Sequence, residues 1–140
     1  MNLKVKHWLF KTEPETYSFS QLLRDQHTAW NGVRNYQARN FLKEAQVGDL
    51  VVIYHSGKSP SAVGIARVTK TAYPDIDPKK AGEWVQIDLA PIQKFITEVS
   101  LAQMKSDREL KDLLLIKQSR LSCMPITVNE FKRIQKLGGL

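Results

Sequence analysis

Residues 30–57, WNGVRNYQARNFLKEAQVGDLVVIYHSG, constrain the fold more than any other stretch of the chain. They read as a loop, a helix, a tight turn and a strand. Ala38, Leu42 and Ala45 recur at helical spacing, which gives a narrow apolar face whose small alanines let the helix sit close to a sheet. Val47-Gly48-Asp49 breaks that helix, and Leu50-Val51-Val52-Ile53-Tyr54 is a short, β-branched apolar run, the pattern of a buried strand. The loop Trp30-Asn31-Gly32-Val33-Arg34-Asn35 gathers a large aromatic, two amides, a guanidinium and a glycine that admits close backbone approach. The strand ends in a second cluster, Tyr54-His55-Ser56-Gly57. The two clusters are expected to meet and line one pocket.

The flanking sequence supplies further strands and short helices. Residues 5–11 read as a first strand that ends before Pro14. Ser18-x-x-Gln21, Ser100-x-x-Gln103 and Thr127-x-x-Glu130 have the form of capping boxes and open three helices. Residues 62–70 predict a third strand, with Gly64 marking a bulge or a close backbone approach. Residues 73–78 read as a proline-bounded loop that Lys79-Lys80-Ala81-Gly82 extends. Residues 84–91 alternate, apolar at 85, 87 and 89, so a half-buried strand is expected there, continuing to Val99 past a kink at Pro91. Leu110, Leu113, Leu114 and Ile116 form an apolar helical or turn segment, and residues 120–124 an extended one closed by Pro125. Short strands scattered between helices argue for an α+β domain with a curved, mostly antiparallel sheet or small barrel.

A length of 140 residues fits one domain with a sizeable core. The net charge of +7 is uneven: residues 1–70 carry 10 basic and 5 acidic side chains, residues 71–140 carry 11 and 9. The excess lies in the half that holds the candidate pocket, and a basic surface there favours a polyanion or phosphorylated ligand. No apolar run approaches the roughly 18 residues of a membrane span, and the N-terminus lacks the apolar stretch of a signal peptide. The single cysteine, Cys123, excludes an internal disulfide and reads as a buried apolar filler, so a reducing, cytoplasmic compartment is expected. His7, His27 and His55 lie far apart without metal-ligand spacing, and neither a phosphate-cradling glycine loop nor a nucleophile elbow appears. No cofactor or metal is expected.

Several words in this order carry a resemblance. Trp8-Leu9-Phe10-Lys11-Thr12-Glu13-Pro14, then residues 30–40, Val47-Gly48-Asp49, Tyr54-His55-Ser56, Gly64-Ile65-Ala66, Tyr73-Pro74-Asp75 and Arg120-Leu121-Ser122 resemble the EVE domain family across essentially the whole chain. The family includes single-domain bacterial proteins. The resemblance implies one domain over residues 1–140, with a PUA-like bent β-barrel of mostly antiparallel strands flanked by short helices, similar in architecture to YTH domains. It also implies a module that binds DNA or RNA, with a modified base, such as a modified cytosine, held in a pocket. The positions it matches in the pocket region are Lys11, Trp30, Asn31, Val33, Tyr54 and Ser56.

Side-chain chemistry assigns roles to these positions. An unstacked base needs a flat apolar partner, groups that read its edge and cations for its phosphates. Trp30 supplies the first, unless it is a core residue; Asn31 donates and accepts at once. Lys11 is placed to reach a base carbonyl or a phosphate. Arg34 and Arg39 suit phosphate through their planar forks, or are solvated helix charges. Lys58, on a turn tip, and Arg120 complete the candidate phosphate contacts. Trp8 and Trp84 read as core, and Asn35 as a helix cap. Two other classes remain open. Lys11-Thr12-Glu13 at a strand end resembles the nucleophile constellation of ASCH-type amidohydrolases acting on modified pyrimidine nucleosides. The extended segment near Arg120 suits a protein-interaction edge. A monomer or weak dimer is expected.

Overall fold

The chain is represented by a computed structural model that describes residues 5–75 and 83–140; the expected loop continuation at Lys79-Lys80-Ala81-Gly82 lies outside them. The described residues contain six strands and five helices, in the order β1 (His7–Thr12), α1 (Phe19–Asp25), β2 (Thr28–Trp30), α2 (Tyr36–Glu44), β3 (Leu50–His55), β4 (Ser61–Pro74), β5 (Val85–Ser100), α3 (Leu101–Lys105), α4 (Leu114–Lys117), β6 (Cys123–Ile126) and α5 (Val128–Leu137). The strands form one sheet in the order β2-β5-β4-β3-β1-β6. Only β1 and β3 run parallel; the other pairs are antiparallel. The mixed, mostly antiparallel α+β architecture matches expectation, but the barrel needs correcting. Among the described residues β2 and β6 pair with no closing strand, so the sheet is open. Helix α2 packs against β6 at one edge and against β5 and β4 towards the other, so a helix bridges where a strand pair would close.

Local chemistry explains most elements. Ser18 and Thr127 make complete capping boxes with Gln21 and Glu130, and the Ser100 hydroxyl accepts from the Gln103 N–H. The Asn35 side chain caps α2 by accepting from the Ala38 N–H at 2.9 Å. Strands β1 and β3 are covered on both faces, which is why Trp8, Leu9 and Phe10 and the run Val51-Val52-Ile53 are all buried in sequence. Gly64 is a close approach: a Cβ there would lie 2.5 Å from the Phe19 ring of α1. The β3–β4 register also slips beside it.

Three assignments shift. Trp30, expected to open a loop, instead ends the edge strand β2. Tyr73 and Pro74 end β4 and pair with Gln86 and Val85 instead of starting a loop. The helical or turn segment expected at 110–116 is both: Leu110 closes a single 3-10 turn, and Leu114 and Ile116 belong to the short α4. Pro125 sits inside β6, tolerated because that strand pairs on one side only. No described helix is long and apolar enough to cross a membrane.

Candidate nucleic-acid interface

Strand β2 delivers Trp30 by pairing Thr28, Ala29 and Trp30 with Leu89, Asp88 and Ile87 of β5. The indole is 8% exposed, 5.9 Å from the Phe10 ring and edge-on to Tyr17 at 6.4 Å between centroids. It is both alternatives at once: packed on the core on one side, and the border of a cavity of about 530 Å³ on the other. That volume is within the range of small-molecule pockets, roughly 300–1,000 Å³. Lys11, Asn31, Val33 and Arg34 border the same cavity, as do Thr12, Tyr17 and Ser122.

A carboxylate holds the 31–34 loop in place. Gly32 takes φ +79°, a conformation that favours glycine, and its N–H donates to Asp75 Oδ2 at 2.9 Å. Arg34 Nη1 donates to the same oxygen at 3.1 Å and to its neighbour's carbonyl, Val33 O, at 2.9 Å. The Asp75 side chain is only 5% exposed, and its backbone N–H donates to Trp84 O at 3.0 Å. Arg34, expected to contact phosphate, is thus a loop anchor. The sequence contained Tyr73-Pro74-Asp75 as a word but gave no signal of what Asp75 holds, because its partners lie more than 40 residues away.

Lys11 Nζ donates to Ser119 O at 2.6 Å and its N–H to Ser122 O at 2.8 Å, tying β1 to the segment before β6. Burial holds the Lys11 ammonium below the usual lysine range. The Thr12 hydroxyl donates to Tyr17 O at 2.8 Å, and Glu13 is exposed and off the cavity wall. Lys11 and Thr12 share the cavity wall but each donates to a backbone carbonyl, and Glu13 is not on the wall, so the three groups do not form the constellation the hydrolytic alternative needs. Tyr17 donates its phenol to Asp25 Oδ2 at 2.8 Å.

The second cluster does not reach the wall. Tyr54 is buried beside Lys11 in the β1–β3 register, and burial raises its phenol pKa. The Ser56 N–H donates to Thr12 O at 3.0 Å. His55 Nε2 accepts from the Phe19 N–H at 3.0 Å and so completes the start of α1. The expectation that both clusters line one pocket is corrected: the first does, and the second braces β1 from the adjacent strand.

The remaining cations scatter. Lys58 and Arg120 are exposed, on separate loops and off the wall. Arg39 bonds to Asn40 Oδ1 at 3.0 and 3.2 Å and lies 4.9 Å from the Tyr36 ring centroid. Trp84, expected in the core, is half-buried and stacks on Tyr36 at 4.9 Å instead. It precedes β5 rather than lying in it. Among the described residues no group of three or more His, Cys, Asp or Glu side chains is arranged to hold a metal ion.

Known proteins give this geometry a context. The EVE domain profile matches residues 6–137. Human thymocyte nuclear protein 1 is 33% identical over an alignment covering 94% of this chain and 73% of its own length. A crystal structure of a Pseudomonas putida protein superposes with a TM-score of 0.89 at 41% identity, over 94% of this chain and 99% of that one. The human THYN1 protein, solved in complex with 5-methylcytosine-containing DNA, superposes with the same TM-score at 32% identity, over 96% of this chain and 98% of that one. On this match, spanning nearly all of its length, the chain belongs to the EVE domain family.

Proposed function

We propose that this protein is a nucleic-acid reader that holds one modified base, unstacked from its strand, in the cavity beside Trp30. The observation that carries the reading is the indole itself: braced by Phe10 and Tyr17, it presents its remaining surface to a cavity that Lys11 and Asn31 also border. A base stacked on an aromatic gains about 1–3 kcal/mol. The Asn31 side chain is exposed and makes no hydrogen bond to a described residue, so both its donor and its acceptor are available to a base edge. Val33 supplies apolar wall, and Lys11 a cation for a base carbonyl or phosphate. Arg39, Lys58 and Arg120 serve the phosphates; Arg34 acts by keeping the loop in shape; Tyr54 and Ser56 act from behind β1. The DNA-bound relative supports 5-methylcytosine as the first modification to try.

The test uses matched DNA and RNA oligonucleotides with and without a single 5-methylcytosine or another modified base. The wild type should bind the modified strand more tightly, and Asn31→Ala should erode that preference. Trp30→Leu should weaken binding of the modified strand most, because it removes the flat face while filling part of the space. Equal affinity for all strands, with Asn31→Ala silent and a salt dependence that accounts for the whole affinity, would leave only charge-driven association.

A further inference from the structure

Tyr36 is the first residue of α2, placed there by the Asn35 cap. It is 60% exposed, yet its ring is not free to wander. It stacks on Trp84 with centroids 4.9 Å apart and planes 25° from parallel. One turn along the helix, Arg39 Cζ lies 4.9 Å from the Tyr36 centroid and 5.9 Å from that of Trp84. These three distances make a nearly equilateral triangle. The guanidinium therefore lies within cation–π reach of both rings, and the stacked Tyr36 ring keeps most of its surface open to solvent.

The pair is fixed to the cavity. The Trp84 carbonyl accepts the N–H of Asp75, the residue that anchors the cavity loop, and Arg34 Cζ lies 5.4 Å from the Trp84 centroid. Arg34 and Asn35 border the cavity itself, so the exposed ring begins one residue beyond its wall. Such a face has little to do for folding, since it buries little area. It has what an unstacked base needs: a flat π surface, a fixed orientation with little rotamer freedom left to lose, and a cation at its edge.

We propose that Tyr36, backed by Trp84 and flanked by Arg39, is a second stacking platform, which takes the base of the nucleotide adjoining the one held beside Trp30. Arg39 meets the phosphate between them. This rests on the reading of the Trp30 cavity as a base pocket. It adds that the protein engages at least two consecutive unstacked bases, and that the flanking base contributes affinity without regard to its identity, because every base has a π face.

The experiment compares wild type, Tyr36→Ala and Tyr36→Phe with three probes. These are a single-stranded oligonucleotide carrying one 5-methylcytosine, the same strand with an abasic residue on either side of it, and free 5-methylcytidine followed by the indole N–H resonance of Trp30. Tyr36→Ala should weaken the intact oligonucleotide by roughly 5- to 150-fold, the worth of one aromatic stack. Tyr36→Phe should restore the affinity, and the shift caused by the nucleoside should persist in both variants. An abasic residue on one side should reproduce the loss in wild type and add nothing in Tyr36→Ala. If Tyr36→Ala binds the oligonucleotide as wild type does, or if the abasic and Tyr36→Ala losses multiply, the platform is overturned while the methyl preference and nucleoside shift keep the pocket standing. If wild type shows neither methyl preference nor nucleoside shift, the pocket reading fails and the platform falls with it.

Discussion

Asp49 and Asp75 do the same chemical job in two places, with opposite results. Asp49, 2% exposed, accepts from Trp8 Nε1 at 2.9 Å, from the Gln46 N–H at 2.8 Å and from the Lys6 N–H at 3.1 Å. It closes the turn between α2 and β3 against β1, with the buried Trp8 indole on one side and the exposed Lys6 and Gln46 on the other. Asp75 gathers the Gly32 N–H and Arg34 in the same way, but the loop it fixes leaves Asn31 and Gly32 exposed at the mouth of a cavity. One carboxylate completes a packed centre; the other holds a rim open. The lesson is that a buried acceptor does not mark a site. What distinguishes the rim is that the anchored segment presents Asn31, whose exposed side chain makes no hydrogen bond to a described residue.

The comparison can be broken by removing each acceptor. Asp49→Ala leaves the buried indole N–H and two backbone donors without that acceptor. It should lower unfolding free energy in denaturant titration by about 2 kcal/mol, mostly because the buried indole N–H loses its acceptor while water can reach the Lys6 and Gln46 N–H groups. Oligonucleotide affinity of the folded fraction should stay unchanged. Asp75→Ala should show the reverse balance. Water can reach the exposed Gly32 N–H, so stability should drop by about 1 kcal/mol. Affinity should fall roughly tenfold, because the loop must then be ordered on binding. Equal binding losses in the two variants would erase the distinction.

A smaller effect sharpens it. Burial lowers the pKa of His55 and of His7, against opposing pulls from Glu98 on the first and Asp49 on the second, while Lys132 lowers His7 further. His55 in its neutral form accepts the Phe19 N–H. The folded pKa values lie below the usual 6.5, so the unfolded chain takes up protons first. The stabilisation is present above pH 6.5 and is lost as pH falls through the folded values. Thermal unfolding midpoints should therefore decline between pH 7 and 5, and His55→Ala should flatten the decline. The Arg34–Asp75 contact contains no histidine, so the rim should hold its shape while the α1 contact weakens. A midpoint independent of pH in the wild type would contradict the His55 contact.

What could be read from the sequence was what is local. The caps at Ser18, Asn35 and Thr127 were legible because donor and acceptor lie within four residues. The β3 run and the α2 face were legible because burial imposes a period. Trp30, Asn31 and Val33 were found as a polar and aromatic cluster, and they do share a wall. Asp49 and Asp75 were read only as turn residues, because their partners are set by the sheet register. The same applies to Arg34, whose sequence shows a cation but not the carboxylate it meets. Trp84 and Trp8 look alike in sequence; one stacks on an exposed tyrosine and the other is sealed in the core. Strand β2 is three residues long, too short for any alternation to declare it. The family resemblance and its place beside His55 and Ser56 both put Tyr54 with the pocket, yet the side chain is buried in the core.

The central claim is that the space beside the Trp30 indole receives one unstacked base. A crystal structure of the protein with an oligonucleotide carrying a single 5-methylcytosine tests it most directly. The account predicts the methylated base extruded from its strand, lying in the cavity with its ring against Trp30 and its edge within hydrogen-bond distance of Asn31. A complex in which the strand crosses the basic surface with every base still stacked, and the cavity holds only solvent, would contradict it.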